Sequence, residues 1–309
     1  MPMNCAGYSH LKFPMPPNNN SNNLTSALSR QMRLLRQKVD RIDLKMLQLL
    51  QQRIKLSGQI GKMKRRHGAV IYVPEREREL VARLSRVSKG QPSQRAVAAI
   101  YREVLSSSRA AQGQAPIGVL QKSAAVVLPA SRAGFGACDQ FSLKKTWTDV
   151  VKGLDTGALS LALVTGEDLA GALRTDQARK KFFFGLTTVG DFPPLLEPKA
   201  PLKRRIFIVT PRGNGAPGQA SEALILIECK FTANAIKSLL RSMPDFSLQA
   251  ESLTVHPAQR GIAVALARLS LAESVDGLSL TSHLLKAGQT ADLSVSILGI
   301  YPGTEDHGG

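Results

Sequence analysis

The chain has 309 residues, of which 43% are apolar and only 5% aromatic, and it carries a formal net charge of +18. This length has room for two domains or one large one, and the absence of any run of about eighteen apolar residues argues against a membrane span. Three cysteines without metal-binding spacing and an N-terminus without a signal layout predict a cytoplasmic protein.

Residues 1–28 are rich in Asn and Pro and show little apolar periodicity. That composition cannot bury enough apolar surface to offset the entropy of ordering the chain. We therefore predict a disordered tail over residues 1–28 and a first domain that begins at about Ser29.

A long helix is predicted from Ser29 to about His67, where Gly68 provides the stop. Apolar residues recur at steps of three, four and seven and form one stripe, made of Leu35, Val39, Ile42, Met46, Leu49, Leu56, Ile60 and Met63. A helix of this length is unusual in a compact domain. It suggests a bundle whose partner is a second copy of the chain.

Two shorter helices follow. Pro74 is placed to open the first of them, since proline is tolerated in the first turn of a helix. Residues 89–92 close that helix, and Ser93 is an N-cap for the next one, which ends near Gly113.

These helices resemble the all-helical chorismate mutase domain, including the one fused to prephenate dehydratase in bifunctional enzymes. The resemblance covers residues 29–113 and rests on Leu35-Arg36, Asp43, Leu49-Leu50, Arg53, Gly61-Lys62-Met63-Lys64, Ile71-Tyr72-Val73-Pro74-Glu75-Arg76-Glu77, Glu103, Ser108, Arg109 and Gln112. It implies a multidomain protein that begins with a bundle of three helices in an intertwined homodimer.

The resemblance implies that the substrate is chorismate, a small dianion that is rearranged to prephenate without a metal, a cofactor or a nucleophile. Such a reaction needs a site that holds the substrate in a compact shape and stabilises charge on the breaking ether oxygen. The implied catalytic residues are Arg36, Arg53, Lys64, Glu77 and Gln112, and the implied substrate-binding residues are Val73, Arg76 and Ser108. Val73 stands where the family usually has Asp.

Helical spacing agrees with part of this assignment. Arg53 and Lys64 are eleven residues apart, which brings them to the same face of a helix. Arg36 lies off that face by about a quarter turn, in keeping with the family's use of one Arg from the partner subunit. Each residue alone also fits a solvated surface or a salt bridge, and it is their joint spacing that favours a site.

Beyond Gly113, short apolar runs predict an α/β region over residues 114–200, with strands at residues 117–120, 124–128 and 159–164 and a helix at residues 146–154. This region resembles a truncated prephenate dehydratase. Residues 201–309 resemble the regulatory ACT domain, a βαββαβ sandwich that binds amino acids. The resemblance is therefore to a mutase fused to a degenerate dehydratase and ACT-like part.

The second half also departs from these families. The catalytic Thr of the dehydratase signature aligns with Arg204, and its Phe aligns with Ile206. The two effector turns of the ACT family are replaced at residues 234–236 and 251–254. We therefore expect no dehydratase activity, and we expect an aromatic amino acid effector to bind poorly, if at all.

Three other interpretations of the sequence stay open. The same helical scaffold serves isochorismate pyruvate lyases, and the chain could also be a non-catalytic regulatory or interaction protein of the aromatic pathway. Residues 29–113 hold 20 Lys and Arg against 6 Asp and Glu, a net charge of +14 that raises the question of nucleic acid. These cations are spread over several helices without interleaved aromatics, so no nucleic-acid partner is expected.

Overall fold

The computed structural model describes residues 19–192, 194, 199–212, 222–229, 254–257, 263–270 and 294–301. The chain divides into two compact units, residues 1–52 and residues 53–309. Within the described ranges, none of the helices is long and apolar enough to cross a bilayer.

Helix α1 spans Asn19–Arg66, a total of 48 residues, which corresponds to a length of about 72 Å. It begins ten residues before the expected start at Ser29, so the structure places residues 19–28 of the predicted tail in this helix. Once a helix is nucleated, each added residue gains one hydrogen bond, which lets it extend into a weakly helical segment. The rest of the predicted tail, residues 1–18, lies outside the described residues.

The apolar stripe of α1 is exposed in the N-terminal unit. Leu35 is 54% exposed, Ile42 56% and Leu49 64%. Single exposed leucines are ordinary, but a row of them along one helix is typical of a surface that another chain covers.

Helices α2 (Pro74–Val87) and α3 (Gln94–Gln112) follow as predicted. The Ser93 hydroxyl accepts a hydrogen bond from the amide of Ala96 at 3.2 Å, which satisfies one free donor at the start of α3. Gly113 ends α3 with a φ of 76°, a left-handed conformation that favours glycine.

The next region is a five-stranded sheet with helices. In chain order its elements are β1 (Ile117–Leu120), α4 (Ala124–Phe135), β2 (Phe141–Lys144), α5 (Trp147–Asp155), β3 (Leu161–Thr165), α6 (Gly166–Ala172), α7 (Asp176–Gly185), β4 (Leu186–Phe192) and β5 (Ile206–Pro211). The strand order is β2-β1-β3-β5-β4. Strands β2, β1 and β3 are parallel, whereas β5 is antiparallel to both β3 and β4. The α/β character that the sequence predicts is therefore present.

The predicted strand at residues 124–128 is wrong, because these residues form the first turns of α4. A short apolar run is compatible with a buried strand or a buried helix, and its periodicity cannot separate them. The five-stranded sheet also extends past the domain boundary expected at residue 200, since it includes β5 at residues 206–211.

A second sheet contains β6 (Glu222–Cys229), β7 (Thr254–Pro257), β8 (Ala263–Ser270) and β9 (Ser294–Tyr301). Its order is β7-β8-β6-β9, and all its neighbours are antiparallel. The helices expected between these strands, and the replaced turn at residues 234–236, lie outside the described residues.

The five-stranded sheet has a hydrophobic cluster on each face, and one of the two is shared with the four-stranded sheet. Leu163, Ile117 and Ile206 of the five-stranded sheet pack with α4 on one face. Val164 and Phe207 belong to a second cluster, which includes buried leucines of the four-stranded sheet.

Candidate functional site

Arg53 joins α1 to α3. Its guanidinium donates to the backbone carbonyl of Val104 at 3.3 Å and to the hydroxyl of Ser108. Ser108 is buried at 3% exposure, and its hydroxyl also donates to the carbonyl of Val104 at 2.7 Å. Arg53 itself is half-buried, so its charge lies against α3 rather than in open solvent.

The closest approach of α1 and α3 is at Gly61. A Cβ atom on Gly61 would lie 2.8 Å from the carbonyl carbon of Gln112, which is far inside normal contact distance. The guanidinium of Arg65 donates to the carbonyl of the same Gln112. Both contacts hold the end of α3, and with it the Gln112 side chain, against α1.

The side-chain oxygen of Gln112 is buried and accepts no hydrogen bond from the described residues. Buried amide oxygens are paired in the great majority of cases. This amide is therefore a polar position that a ligand could occupy.

Lys64 lies three residues after Gly61 and is half-buried. Its ammonium donates to the carbonyl of Ile71 at 3.0 Å, in the segment that connects α1 and α2. Burial and the neighbouring charge of Arg76 lower the pKa of Lys64, while Glu77 acts in the opposite direction. Lys64, Arg76 and Glu77 thus act on one another electrostatically.

Glu77 is in the first turn of α2, and its carboxylate receives a hydrogen bond from Arg109 of α3 at 2.5 Å. Burial raises the pKa of Glu77, and this effect outweighs the opposing charges of Arg109 and Arg53. Burial has the larger effect because the carboxylate is mostly enclosed and Arg109 is shared with a second carboxylate, Asp139.

The other predicted residues are placed differently. Val73 is the N-cap of α2, and its side chain makes no capping hydrogen bond. Arg76 is exposed at the start of α2. Arg36 is exposed on α1 in the N-terminal unit, residues 1–52.

Among the predicted residues, Glu77 interacts electrostatically with Arg53 and Lys64, and Arg53 donates to Ser108. Gln112 lies at the end of α3, where its backbone meets Gly61 of α1. Two cations, one carboxylate, one hydroxyl and one amide suit a small anion that also carries a hydroxyl. Sequence reasoning assigned no role to Arg109 and did not consider Asp139. Arg109 lies one residue after Ser108 on a predicted helix, and that neighbourhood is the one signal that could have drawn attention to it.

Residues 35–113 match the family model for chorismate mutase type II. This part of the chain is therefore similar to chorismate mutase type II domains. The bifunctional chorismate mutase/prephenate dehydratase of Aquifex aeolicus is 31% identical over 142 residues, which are 45% of this chain and 39% of that protein. That alignment is longer than residues 1–113, so part of it lies beyond the three predicted helices. The predicted resemblance to the bifunctional enzymes is thus confirmed, although the chain spans well under half of this relative's length.

Solved structures resemble the second part of the chain. A structure titled as a novel type of quorum quenching acylase has a TM-score of 0.45 and 18% identity, and the match covers 61% of this chain and 95% of that one. A prephenate dehydratase from Streptococcus mutans has a TM-score of 0.38 and 13% identity, with 62% of this chain and 100% of that one covered. At these scores the likeness says nothing about activity.

Proposed function

We propose that the protein is a chorismate mutase that rearranges chorismate to prephenate in aromatic amino acid biosynthesis. The observation that carries the proposal is the electrostatic interaction of Glu77 with both Arg53 and Lys64, within residues that match the mutase family model. The three side chains come from two helices and are held by α3 and by the segment after α1.

The residues divide three tasks among them in this proposal. Arg53 and Arg36 of the partner subunit hold the two carboxylates, because a guanidinium can bind a carboxylate with two parallel hydrogen bonds. Lys64 and Gln112 donate to the ether oxygen, on which negative charge grows as the bond breaks. Glu77 accepts from the substrate hydroxyl.

Three further residues support binding. Ser108 assists a substrate carboxylate, and its contact with Arg53 supports this role. Arg76 adds positive charge beside Lys64. Val73 contributes its backbone N–H at the start of α2, since its side chain has no polar atom.

We also propose a homodimer. The exposed apolar stripe on α1 supports it, because a second copy of the same helix would remove that surface from water. A site that uses Arg36 of the partner subunit would then be complete only in the dimer.

For the second half we propose an ACT-like domain after a region without dehydratase activity. The order β7-β8-β6-β9 supports the first part, since it is the antiparallel order of a βαββαβ sandwich. Arg204 stands in a short 3-10 turn and Ile206 is fully buried, at the positions where the dehydratase family has its signature Thr and Phe. Neither side chain can supply a catalytic hydroxyl.

The test is the loss of chorismate and the formation of prephenate by the purified full chain, compared with Lys64→Ala and with Lys62→Ala. Lys62 is exposed on the same helix, so its variant removes the same charge outside the site. We expect Lys64→Ala to lower kcat/KM by about 100-fold and Lys62→Ala to leave it within about twofold.

Two results would contradict the proposal. One is a folded wild-type protein that does not convert chorismate, which would favour a regulatory or interaction protein. The other is release of pyruvate from isochorismate at a higher kcat/KM than conversion of chorismate, which would assign the site to a lyase.

A further inference from the structure

We propose that Asp139, in the loop between α4 and β2, is a positioning residue of the mutase site that acts through Arg109 on Glu77. The proposal rests on the mutase function proposed above and deepens it. It means that the α/β region contributes a side chain on which the helical site depends.

The carboxylate of Asp139 receives hydrogen bonds from three side chains. Arg109 approaches it with Nε at 3.1 Å and Nη2 at 2.7 Å, the side-by-side geometry of a strong carboxylate–guanidinium pair. The Ser106 hydroxyl donates at 2.7 Å and the Gln114 amide at 3.4 Å. The side chain of Asp139 is 2% exposed, so these contacts are made away from bulk water.

Arg109 carries the connection onward. Its Nη1 donates to Glu77 at 2.5 Å, and its Nη2 also donates to the backbone carbonyl of Phe135 at 2.5 Å. The rings of Tyr72 and Phe135 lie over the guanidinium at 5.7 and 5.6 Å. Since each edge of the planar group is used, the position of Asp139 fixes the direction from which Arg109 meets Glu77.

The loop that holds Asp139 is itself fixed on α3. The amide of Cys138 donates to the Ser106 hydroxyl at 3.0 Å, and the amide of Ala137 donates to Glu103 at 2.9 Å. Gly136 has a φ of 105°, and a Cβ there would collide with the side chain of Ser106. A glycine at this point permits the close approach of the loop to the helix.

Arg109 and Asp139 act in opposite directions on the pKa of Glu77, in addition to burial. Burial opposes the charged form of Arg109, but its hydrogen bonds and charge contacts with Asp139 and Glu77 outweigh burial and raise its pKa, so it stays a cation. The groups that face Glu77 are Arg109, Asp139, Arg53, Lys64 and Tyr72. The negative charge of Asp139 raises the pKa of Glu77. Asp139 also pairs with Arg109, so the positive charge of that arginine is shared between two carboxylates.

The experiment measures kcat and kcat/KM for chorismate against pH with the full chain, Asp139→Asn and Asp155→Asn. Asparagine has the shape of aspartate but not its charge. We expect Asp139→Asn to lower kcat by about tenfold, because Arg109 loses its second anchor. We also expect the acid limb of the profile to move down by about one pH unit, because Glu77 loses a neighbouring negative charge. Asp155 is the matched control, since it forms an exposed pair with Lys181 at 3.0 Å in the same region and contacts neither Arg109 nor Glu77.

The pH at which activity falls on the acid side distinguishes a positioning role from simple loss of structure. General damage would lower activity at every pH and leave the limb in place, and that result would overturn the inference. Arg109→Gln should move the limb in the opposite direction, to higher pH, since Glu77 would then lose a cation. A shift in the same direction as that of Asp139→Asn would also overturn it.

Ser106→Ala is a second variant that tests the inference if Asp139→Asn does not fold. It removes one hydroxyl donor to Asp139 and no charge. We expect its kcat to fall by about threefold while its helical circular dichroism at the assay temperature stays that of the wild type, which excludes general damage. The acid limb should not move, because no charge is removed, and an unchanged kcat would overturn the inference. A wild-type protein without mutase activity would instead refute the proposed function, and this inference with it, whereas an active wild type with an unaltered Asp139→Asn profile would refute this inference alone.

Discussion

Replacement of Gly61 by alanine tests how tightly the two walls of the site must approach. An added Cβ would lie 2.8 Å from the carbonyl carbon of Gln112 and even closer to its Cα and oxygen, and all three are backbone atoms that cannot rotate away. Carbon atoms in ordinary contact are about 3.5–4.0 Å apart, so the end of α3 must retreat by about 1 Å. The Arg65 contact to the same carbonyl would be stretched as well.

Two magnitudes follow from that displacement. Overpacking of this size costs about 1–3 kcal/mol, and alanine returns about 1 kcal/mol of helix propensity, which leaves a net loss of up to about 2 kcal/mol. A shift of about 1 Å in a group that contacts the transition state can lower the rate by about 100-fold. We therefore expect Gly61→Ala to lower kcat for chorismate by between about 10-fold and 100-fold.

The measurements are chorismate turnover and urea denaturation followed by helical circular dichroism. Gly134→Ala is the matched control, because Gly134 is also helical and nothing lies within 4 Å of its added Cβ. This control should gain about 0.5–1 kcal/mol of stability and keep full turnover. If Gly61→Ala behaves like Gly134→Ala in both measurements, the helices do not approach as described and the reasoning fails.

Three other variants or conditions give further checks. Arg53→Lys should lower kcat/KM by about 100-fold, because a lysine cannot reproduce the contacts with Val104 and Ser108, whereas Arg83→Lys on the exposed side of α2 should have little effect. The pH profile of wild-type kcat/KM should be narrow. On the acid side, activity should fall as Glu77 takes up a proton at its raised pKa. On the alkaline side, activity should fall as Lys64 loses a proton at its lowered pKa. If the alkaline limb of Lys64→Arg stays where it is in the wild type, the assignment of that limb to Lys64 is contradicted. Val73→Asp should stabilise α2 by about 1 kcal/mol as an N-cap and lower KM, and an unchanged urea midpoint would show that the new side chain does not cap the helix.

The ends of the second and third helices could be predicted because their signals are local. Pro74 begins α2, Ser93 caps α3 and Gly113 ends it, and each acts on backbone groups within one turn. The start of α1 at Asn19 could not be placed in the same way. Residues 18–20 are all Asn, each of a type that can cap a helix, so none of them marks the start, and helix propagation from a strong segment decides how far the helix extends.

The sequence was less informative where structure depends on distant contacts. Residues 124–128 are an apolar run without a helical or strand period, and their helical state depends on packing against the five-stranded sheet. The boundary expected at residue 200 separated β5 from the sheet to which it pairs, because strand pairing over about forty residues leaves no local sign.

The candidate site likewise has residues that local sequence could place and residues that it could not. The spacing of Arg53 and Lys64 on one helix was enough to place both on one face, and the resemblance supplied Glu77, Ser108 and Gln112. The link from Arg109 to Asp139 could not be predicted, because it joins a helix to a loop thirty residues later, and no periodicity connects them. Whether these residues act on chorismate stays a prediction until turnover is measured.

The contact between Asp139 and Arg109 limits how this chain can be divided. A fragment that stops at Gly113 would leave Arg109 paired with Glu77 alone, because it lacks both Asp139 and the Phe135 ring that covers the guanidinium. Gene fission after Gly113 would therefore change the surroundings of Arg109 on the side away from Glu77. Through this contact the C-terminal half supplies the helical part with one carboxylate that lies outside residues 29–113.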